Sequence, residues 1–312
     1  MDQTLKPQTT TLNYGPNRAA FDALHQVNTG GVLAVITSTQ GPSYRPIGAA
    51  MALYPDTKRL VGSLSSGCIE GDLLHHAANC LNASQGSTVR YGIGSPYIDI
   101  QLPCGGALEI TLVPQPPSDV LTHVQNALAA RETAQFSVHP DGYLEKTPQP
   151  GALTVNYEPD MHFTILGKGP EATMFAGLAV AAGYSAQLFS PDEETRQFAS
   201  DAGCVAANLT KGKFPDTAIV DRHSAIVLFF HDHDWEPDLL ASAVETNARY
   251  IGAQGSLRAR ATRDDALRAI GVTEEKIAQI HGPIGLLPSA RDPQTLAVSV
   301  LAEALAAFKA PR

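Results

Sequence analysis

Residues 162–190 read HFTILGKGPEATMFAGLAVAAGYSAQLFS, and no other stretch restricts the fold as strongly. A short apolar run, His162 to Leu166, meets a glycine turn, then a helix of small residues, then a second apolar run. Strand, tight turn, helix and strand in that order make a crossover unit, which requires a parallel sheet. Later strands are expected at Ala225 to Phe230 and Tyr250 to Ala253, with helices between them and a last helix over Pro293 to Phe308. Strands alternating with helices place helices on both faces of that sheet. The fold class is α/β.

The preceding half has a different rhythm. Ala19, Phe21, Leu24 and Val27 have helical spacing over residues 18–28, and Gly30–Gly31 stops the helix. Val32 to Thr39 reads as a buried strand, and Ala50 to Tyr54 with Leu60 to Leu64 as a pair across Pro55–Asp56. A helix begins near Ile69. Short strands are expected at Val89 to Tyr91 and Ile98 to Gln101, and a longer one at Ala107 to Val113. A helix over Val120 to Ala130 and strands around Gln135 to Val138 and Leu153 to Tyr157 complete this half. The break falls at Glu158 to His162, giving domains at 14–158 and 161–312, which suits 312 residues.

With Lys plus Arg at 22 and Asp plus Glu at 31, the formal charge is 22 − 31 = −9. An acidic chain is a poor fit for nucleic acid, whose binding needs a cationic surface. A small phosphorylated ligand remains open, because a few amides and arginines can hold one phosphate. The four cysteines, Cys68, Cys80, Cys104 and Cys204, are too few for a disulfide scaffold and form no CxxC pair. No apolar run approaches the ~18 residues of a membrane span, and none resembles a signal peptide. The expectation is a soluble protein of a reducing compartment, with no membrane or nucleic-acid partner.

Gly167-Lys168-Gly169-Pro170-Glu171-Ala172 fits G-x-G-x-x-A between strand and helix. Gly167 suits the tight turn, Gly169 the approach of a phosphate, and Ala172 close helix–strand packing. The sequence favours a phosphate or dinucleotide site here over a bare turn. Pro170 removes one N–H donor. The acidic ribose contact expected after the second strand falls on Ser190, with Asp192 two residues on.

A second candidate is GSLSSGCIEGD at 62–72. Its glycines and serines expose successive amides, a nest suited to an oxyanion. Ser65, Ser66, Gly67, Cys68 and Glu70 are its candidate contacts. Cys68 stands just ahead of a helix, where a thiol pKa falls. A capping turn around a small buried cysteine is the alternative. Cys104-Gly105-Gly106 puts another thiol on a glycine loop, while Cys80, in line with Leu73 and Ala77, and Cys204 read as core.

Gly252-Ala253-Gln254-Gly255-Ser256 follows a strand and opens a helix carrying Arg258, Arg260 and Arg263. Ligands of open α/β sheets bind at that edge, and arginine forks suit phosphate. Gly255, Ser256 and Arg258 are preferred as contacts over Arg260 and Arg263. His231-Asp232-His233-Asp234 has metal-ligand chemistry, but a polar loop with His231 as a ligand contact fits better, because a turn begins at Trp235. His281, before Gly282-Pro283, is balanced between contacting ligand and capping a loop.

These segments together resemble the XdhC/CoxI family, accessory factors of xanthine dehydrogenase and related molybdenum hydroxylases. The resemblance is carried by SSGCIEGD at 65–72, PCGGALE at 103–109, ILGKGPEA at 165–172, FFHDHDWE at 229–236, YIGAQGSLRARATR at 250–263 and HGPIGL at 281–286. It implies an N-terminal α/β domain and a C-terminal Rossmann-like domain, commonly as a homodimer in the cytoplasm. It also implies binding of molybdenum cofactor (molybdopterin) as cargo and delivery of its sulfurated form to an apo-enzyme, with a sulfur-donating desulfurase as a further partner. Two departures are Pro170, where many relatives carry His, and Ser66, where many carry Gly. The cofactor-binding set is then Ser65, Ser66, Gly67, Cys68, Glu70, Cys104, Gly105, Gly106, Gly167, Gly169, Pro170, Glu171, Ala172, Asp192, His231, Gly255, Ser256 and Arg258. From loop position, Cys68 and Cys104 would face the molybdenum end. A nucleotide such as NAD(P), or the cytidine dinucleotide form of the cofactor, is the further ligand considered. A nicotinamide-dependent oxidoreductase is the second reading, though no Ser-Tyr-Lys or Cys-His constellation supports hydride transfer. A metal-dependent hydrolase built on His231 to Asp234 is the third.

Overall fold

The computed structural model describes residues 8–65, 67, 69–96 and 105–309. Ser66, Cys68, Cys104 and the strand expected at Ile98 to Gln101 lie outside the described residues. The chain divides into two compact units, Met1–Pro159 and Asp160–Arg312.

In the first unit the elements are β1 (Thr9–Asn13), α1 (Gly15–Gln26), β2 (Val32–Gln40), β3 (Ala50–Tyr54), β4 (Arg59–Val61) and α2 (Glu70–Ala83). They continue with β5 (Ser87–Gly92), β6 (Ala107–Pro114), α3 (Ser118–Ala129), β7 (Ala134–Val138), β8 (Leu144–Glu145) and β9 (Leu153–Glu158). Five strands form an antiparallel sheet in the order β4-β3-β2-β6-β5. A four-stranded sheet runs β1-β9-β7-β8, with β1 parallel to β9.

The five-stranded sheet is buried on both faces, which follows from the period of two in β2. Val32, Ala34 and Ile36 pack with Leu73, Ala77 and Cys80 of α2. Leu33 and Val35 pack with Phe21 and Leu24 of α1, and with Phe136, Val155 and Tyr157 of the other sheet. Phe21, Phe136 and Tyr157 meet edge-on or tilted at centroid distances of 5.3–5.7 Å. A β-bulge interrupts β2 between Ile36 and Ser38, so Thr37 is an extra residue.

The second unit has β10 (His162–Gly167), α4 (Pro170–Ala181), β11 (Ser185–Ser190), α5 (Glu193–Asp201), β12 (Val205–Asn208) and β13 (Ser224–Phe229). Then come α6 (Glu236–Ala243), β14 (Tyr250–Ala253), α7 (Leu257–Ala269), α8 (Glu274–Ile277), β15 (Ile280–His281) and α9 (Pro293–Lys309). All six strands are parallel, in the order β12-β11-β10-β13-β14-β15. Counted within the unit this is 3-2-1-4-5-6, the order of the Rossmann fold. Phe163, Ile165, Val227 and Phe229 pack under α4 and α9, while Leu166, Ile226, Leu228 and Phe230 pack under α6 and α7. Burial on both faces explains why Ala225 to Phe230 is uninterrupted apolar sequence.

The strand order reverses between β10 and β13, so their carboxyl ends form the crevice where such sheets bind ligands. Gly167 is at that place because a Cβ there would lie 2.5 Å from the Phe229 carbonyl oxygen. Among the described residues no helix is long and apolar enough to cross a membrane.

Candidate functional site

Two glycine loops carried the sequence expectation of an anion site, and in each the chain supplies a carboxylate of its own. In the first unit the nest ahead of α2 closes around Glu70. One oxygen, Oε1, accepts the amides of Leu64 (3.2 Å) and Ser65 (2.9 Å) and the Ser63 hydroxyl (3.3 Å). The other, Oε2, accepts the Ser65 hydroxyl (2.6 Å) and the amides of Gly67 (2.9 Å) and Ile69 (3.2 Å). Ser65 Oγ also accepts the Ile69 amide. Burial alone raises this carboxyl, but the Ser65 hydroxyl and the surrounding amides outweigh it and bring the pKa down to about 2.

The expected oxyanion nest therefore exists, and its oxyanion is Glu70. Ser65, Gly67 and Glu70 are hydrogen-bonded to one another. These bonds tie Leu64, Ser65, Gly67 and Ile69 to the first residue of α2, with Gly67 at φ +106°. Farther along α2, Asp72 accepts the Tyr91 hydroxyl (2.7 Å) and lies 3.2 Å from His76 Nε2. Gly105 is exposed at φ +68° with open space at its Cβ position. Gly106 is buried for a steric reason, since a Cβ there would come within 2.3 Å of the Pro42 carbonyl oxygen.

In the second unit the turn after β10 is also largely satisfied internally. The Lys168 amide donates to Phe229 O (3.1 Å), and the Gly169 amide to Thr195 Oγ1 (2.9 Å). Gly169 takes φ +87°, Pro170 opens α4 and Ala172 is fully buried. The first turn of α4 leaves the Glu171 and Ala172 amides without intrahelical acceptors. The Glu171 carboxylate curls back so that its Oε2 lies 3.4 Å from His231 Nε2 at the end of β13, and a Cβ on Gly169 would be 3.7 Å from the same oxygen. A carboxylate thus stands at the crevice where a dinucleotide would bring its pyrophosphate.

Asp192 is exposed and already has a structural task. It caps α5, accepting the Thr195 amide (2.7 Å) and hydroxyl (2.6 Å), and these bonds lower its pKa. Thr195, buried, passes the cap on to Gly169 and so ties the first two βα loops together. Thr195→Val removes the acceptor for Gly169 and a donor to Asp192. The expected result is a loss of about 1–2 kcal/mol in urea unfolding, with faster hydrogen exchange at the Gly169 amide.

The arginine helix divides its labour. Ser256 caps α7 through the Ala259 amide, and Arg258 is exposed. Gly255 takes φ +143°. Arg260 donates to the Gly282 carbonyl (2.6 Å), joining α7 to the loop after β15. Arg263 is buried against Glu236 of α6 at 3.4 Å, with side-chain exposures of 1% and 0%, and donates to Gln254 O. Arg263 is therefore an internal brace and cannot reach a ligand phosphate. His281 stacks on Tyr250 with ring centroids 4.6 Å apart, and its Nδ1 lies 3.4 Å from Glu303 of α9. Glu303 also accepts the Gly285 amide.

His231, Asp232 and Asp234 are exposed, and among the described residues no three His, Cys, Asp or Glu side chains gather as metal ligands. Cys80 and Cys204 are buried free thiols, and burial pushes Cys204 up to about 11. The sequence reading missed Thr195, Glu236, Tyr250 and Glu303. Of these only Thr195 carried a local signal, three residues after a capping aspartate.

Fold and loops define a two-unit α/β protein whose second unit is a Rossmann sheet with its switch-point loops braced from within. Its sequence matches the model of the XdhC Rossmann domain over residues 163–304 and that of the XdhC and CoxI family over residues 24–92. It is 32% identical to the molybdenum cofactor insertion chaperone PaoD of Escherichia coli (strain K12), over 92% of this chain and 86% of that one. It is 24% identical to a probable xanthine dehydrogenase component of Bacillus subtilis (strain 168), over 91% and 94%. A crystal structure of a xanthine dehydrogenase from Bacillus halodurans has the same fold, with a TM-score of 0.76 at 21% identity over 94% of this chain and 97% of that one. The chain belongs to the XdhC and CoxI family.

Proposed function

We propose that this chain binds molybdenum cofactor and inserts it into a molybdenum hydroxylase of the xanthine dehydrogenase type. One observation carries the reading: the near full-length match, at 32% identity, to a relative named as a molybdenum cofactor insertion chaperone. In this reading the cofactor is cargo in its sulfurated form, a desulfurase supplies the sulfur, and the protein works as a cytoplasmic homodimer. Cys68 and Cys104, each flanked by glycine, are the groups proposed to face the metal end.

Three observations weigh against a resident dinucleotide, whether NAD(P) or a cytidine dinucleotide. The Gly169 amide is engaged by Thr195, and Asp192 is held as a helix cap. The Glu171 carboxylate at the crevice adds like-charge repulsion toward a pyrophosphate. The absence of three gathered ligands among the described residues gives a metal-dependent hydrolase no support.

The test is purification from a host that makes the cofactor. The expected result is pterin, detected by fluorescence after oxidation, together with molybdenum in a near one-to-one ratio. Cys68→Ser and Cys104→Ser should lower the molybdenum content while leaving the protein folded. Protein that arrives free of both pterin and metal, and that takes up no added cofactor, ends this reading.

A further inference from the structure

A cleft of about 290 Å³ lies within the first unit, at the end of its main core. Along one face of the five-stranded sheet the residues change character. Leu33, Val35 and Val113 belong to the core, and beyond them the same face carries Thr111, Thr88 and Glu109. The bulge at Thr37 adds one more hydroxyl there. Val138 and Leu153 from the second sheet, with Pro140, supply apolar surface to the same cleft. An apolar side together with a hydroxyl-bearing side suits a planar heterocycle, which stacks on one and bonds in its plane to the other.

The hydroxyl hydrogens have a forced direction. Thr88 Oγ1 donates to the Pro140 carbonyl (2.8 Å), so its one hydrogen is used. Thr111 Oγ1, 2.9 Å from Thr88 Oγ1, must then be the donor to it. Thr37 Oγ1, 3.1 Å from Thr111 Oγ1 and 3.4 Å from the Glu109 carbonyl, donates to one of these acceptors. The chain therefore ends at Thr37, whose lone pairs are offered to the cleft while its hydrogen is directed to Thr111 Oγ1 or the Glu109 carbonyl. Glu109, held at Oε1 by Arg90 (2.8 Å), adds carboxylate charge to the lining. Ser38 adds a further hydroxyl to the lining, able to donate or accept.

The geometry points to a binding site for a 2-amino-4-oxopyrimidine ring, whose neighbouring amino and ring N–H groups meet the acceptors of Thr37 and Glu109. Two sources carry that ring: a pterin and a guanine nucleotide. The assignment to the pterin end of the cofactor rests on the function proposed above, whereas the preference for a donor comes from the hydroxyl chain together with Glu109. Phosphate does not suit the cleft, because acceptors and a carboxylate line it.

The probes are pterin and lumazine, which differ by an amino group replaced by a carbonyl oxygen, and guanosine and inosine, which differ by loss of the amino group. Fluorescence titration of the full chain should show pterin bound at least tenfold more tightly than lumazine. Guanosine exceeding both pterin and inosine would assign the site to the nucleotide source. Thr37→Val should weaken pterin roughly tenfold, the scale of one lost hydrogen bond in a desolvated site, with an unchanged melting temperature as the check on folding. Thr88→Val, on the exposed end of the chain, frees Thr111 to reverse its bond. Discrimination between pterin and lumazine should then narrow. Equal binding of pterin and lumazine, no binding of any probe, or pterin binding indifferent to Thr37→Val in a folded protein overturns the site. If cofactor still co-purifies in that case, the chaperone reading stands without this cleft. Pterin binding in protein that never carries molybdenum leaves the cleft and removes the chaperone reading.

Discussion

Replacing Glu70 by alanine is expected to cost about 3–5 kcal/mol of folding stability, because several charge-assisted hydrogen bonds go at once and leave donors unmet. The amides of Leu64, Ser65, Gly67 and Ile69 all converge on this side chain. Glutamine should recover little. Both carboxylate oxygens are ringed by donors, so an amide must turn its NH2 toward other N–H or O–H groups. Aspartate keeps the charge but is one methylene short. The pH dependence has a definite sign. The folded carboxyl titrates at about 2, below the ordinary value of 4.5. Its contribution is therefore complete above the ordinary value and is lost as pH falls from there through the folded value. Urea midpoints should drop through that acid window for the parent chain and respond less in Glu70→Gln. Parallel acid profiles for the two proteins would show that the nest does not hold a carboxylate.

The second large effect is expected at Arg263. Its guanidinium and the Glu236 carboxylate are almost without solvent contact. Arg263→Met takes the guanidinium away from the buried Glu236 carboxylate, and Glu236→Leu takes the carboxylate away from the buried guanidinium. Either should cost about 3–5 kcal/mol. The pair replaced together should lie nearer the parent than either single variant, because no uncompensated charge is left inside. Denaturant unfolding of the four proteins measures the coupling. Additive single losses would show that the two side chains act independently. A role for Arg263 in gripping a ligand phosphate would instead lower binding with little change in unfolding.

The parallel half of the fold was legible because its signals are local. Apolar runs such as Ala225 to Phe230 and the glycine turn inside His162 to Ser190 need no partner to be read. In the first unit β1 escaped notice. Thr9–Asn13 has half-exposed alternation and little apolar content, and it becomes a strand by pairing with β9, far away in sequence. The anion nest was legible from Gly and Ser spacing, but its occupant was not. A glutamate opening a helix reads as a favourable dipole contact, and only folding shows it turned back over the loop. Arg263 looks in sequence like one of three arginines on an exposed face, and its burial follows from Glu236, 27 residues earlier in the chain. Asp192 reads as a ribose contact, although Asp-x-x-Thr after a strand is also a capping pattern. The chemistry placed at Cys68 and Cys104 stays with the thiol experiments above.

The bulge in β2 has a consequence for how the Thr37 hydroxyl came to be there. Ile36 faces Ile110 and Ser38 faces Glu109, so the residue between them has no counterpart on β6. Excising Thr37 would close β2 into an uninterrupted ladder in which every other cross-strand neighbour keeps its place and its face. Thr37 is in this sense a graft on a finished sheet: a single codon could add or withdraw the terminal acceptor, and with it a ligand preference, while the hydrophobic layers on either side stay in register.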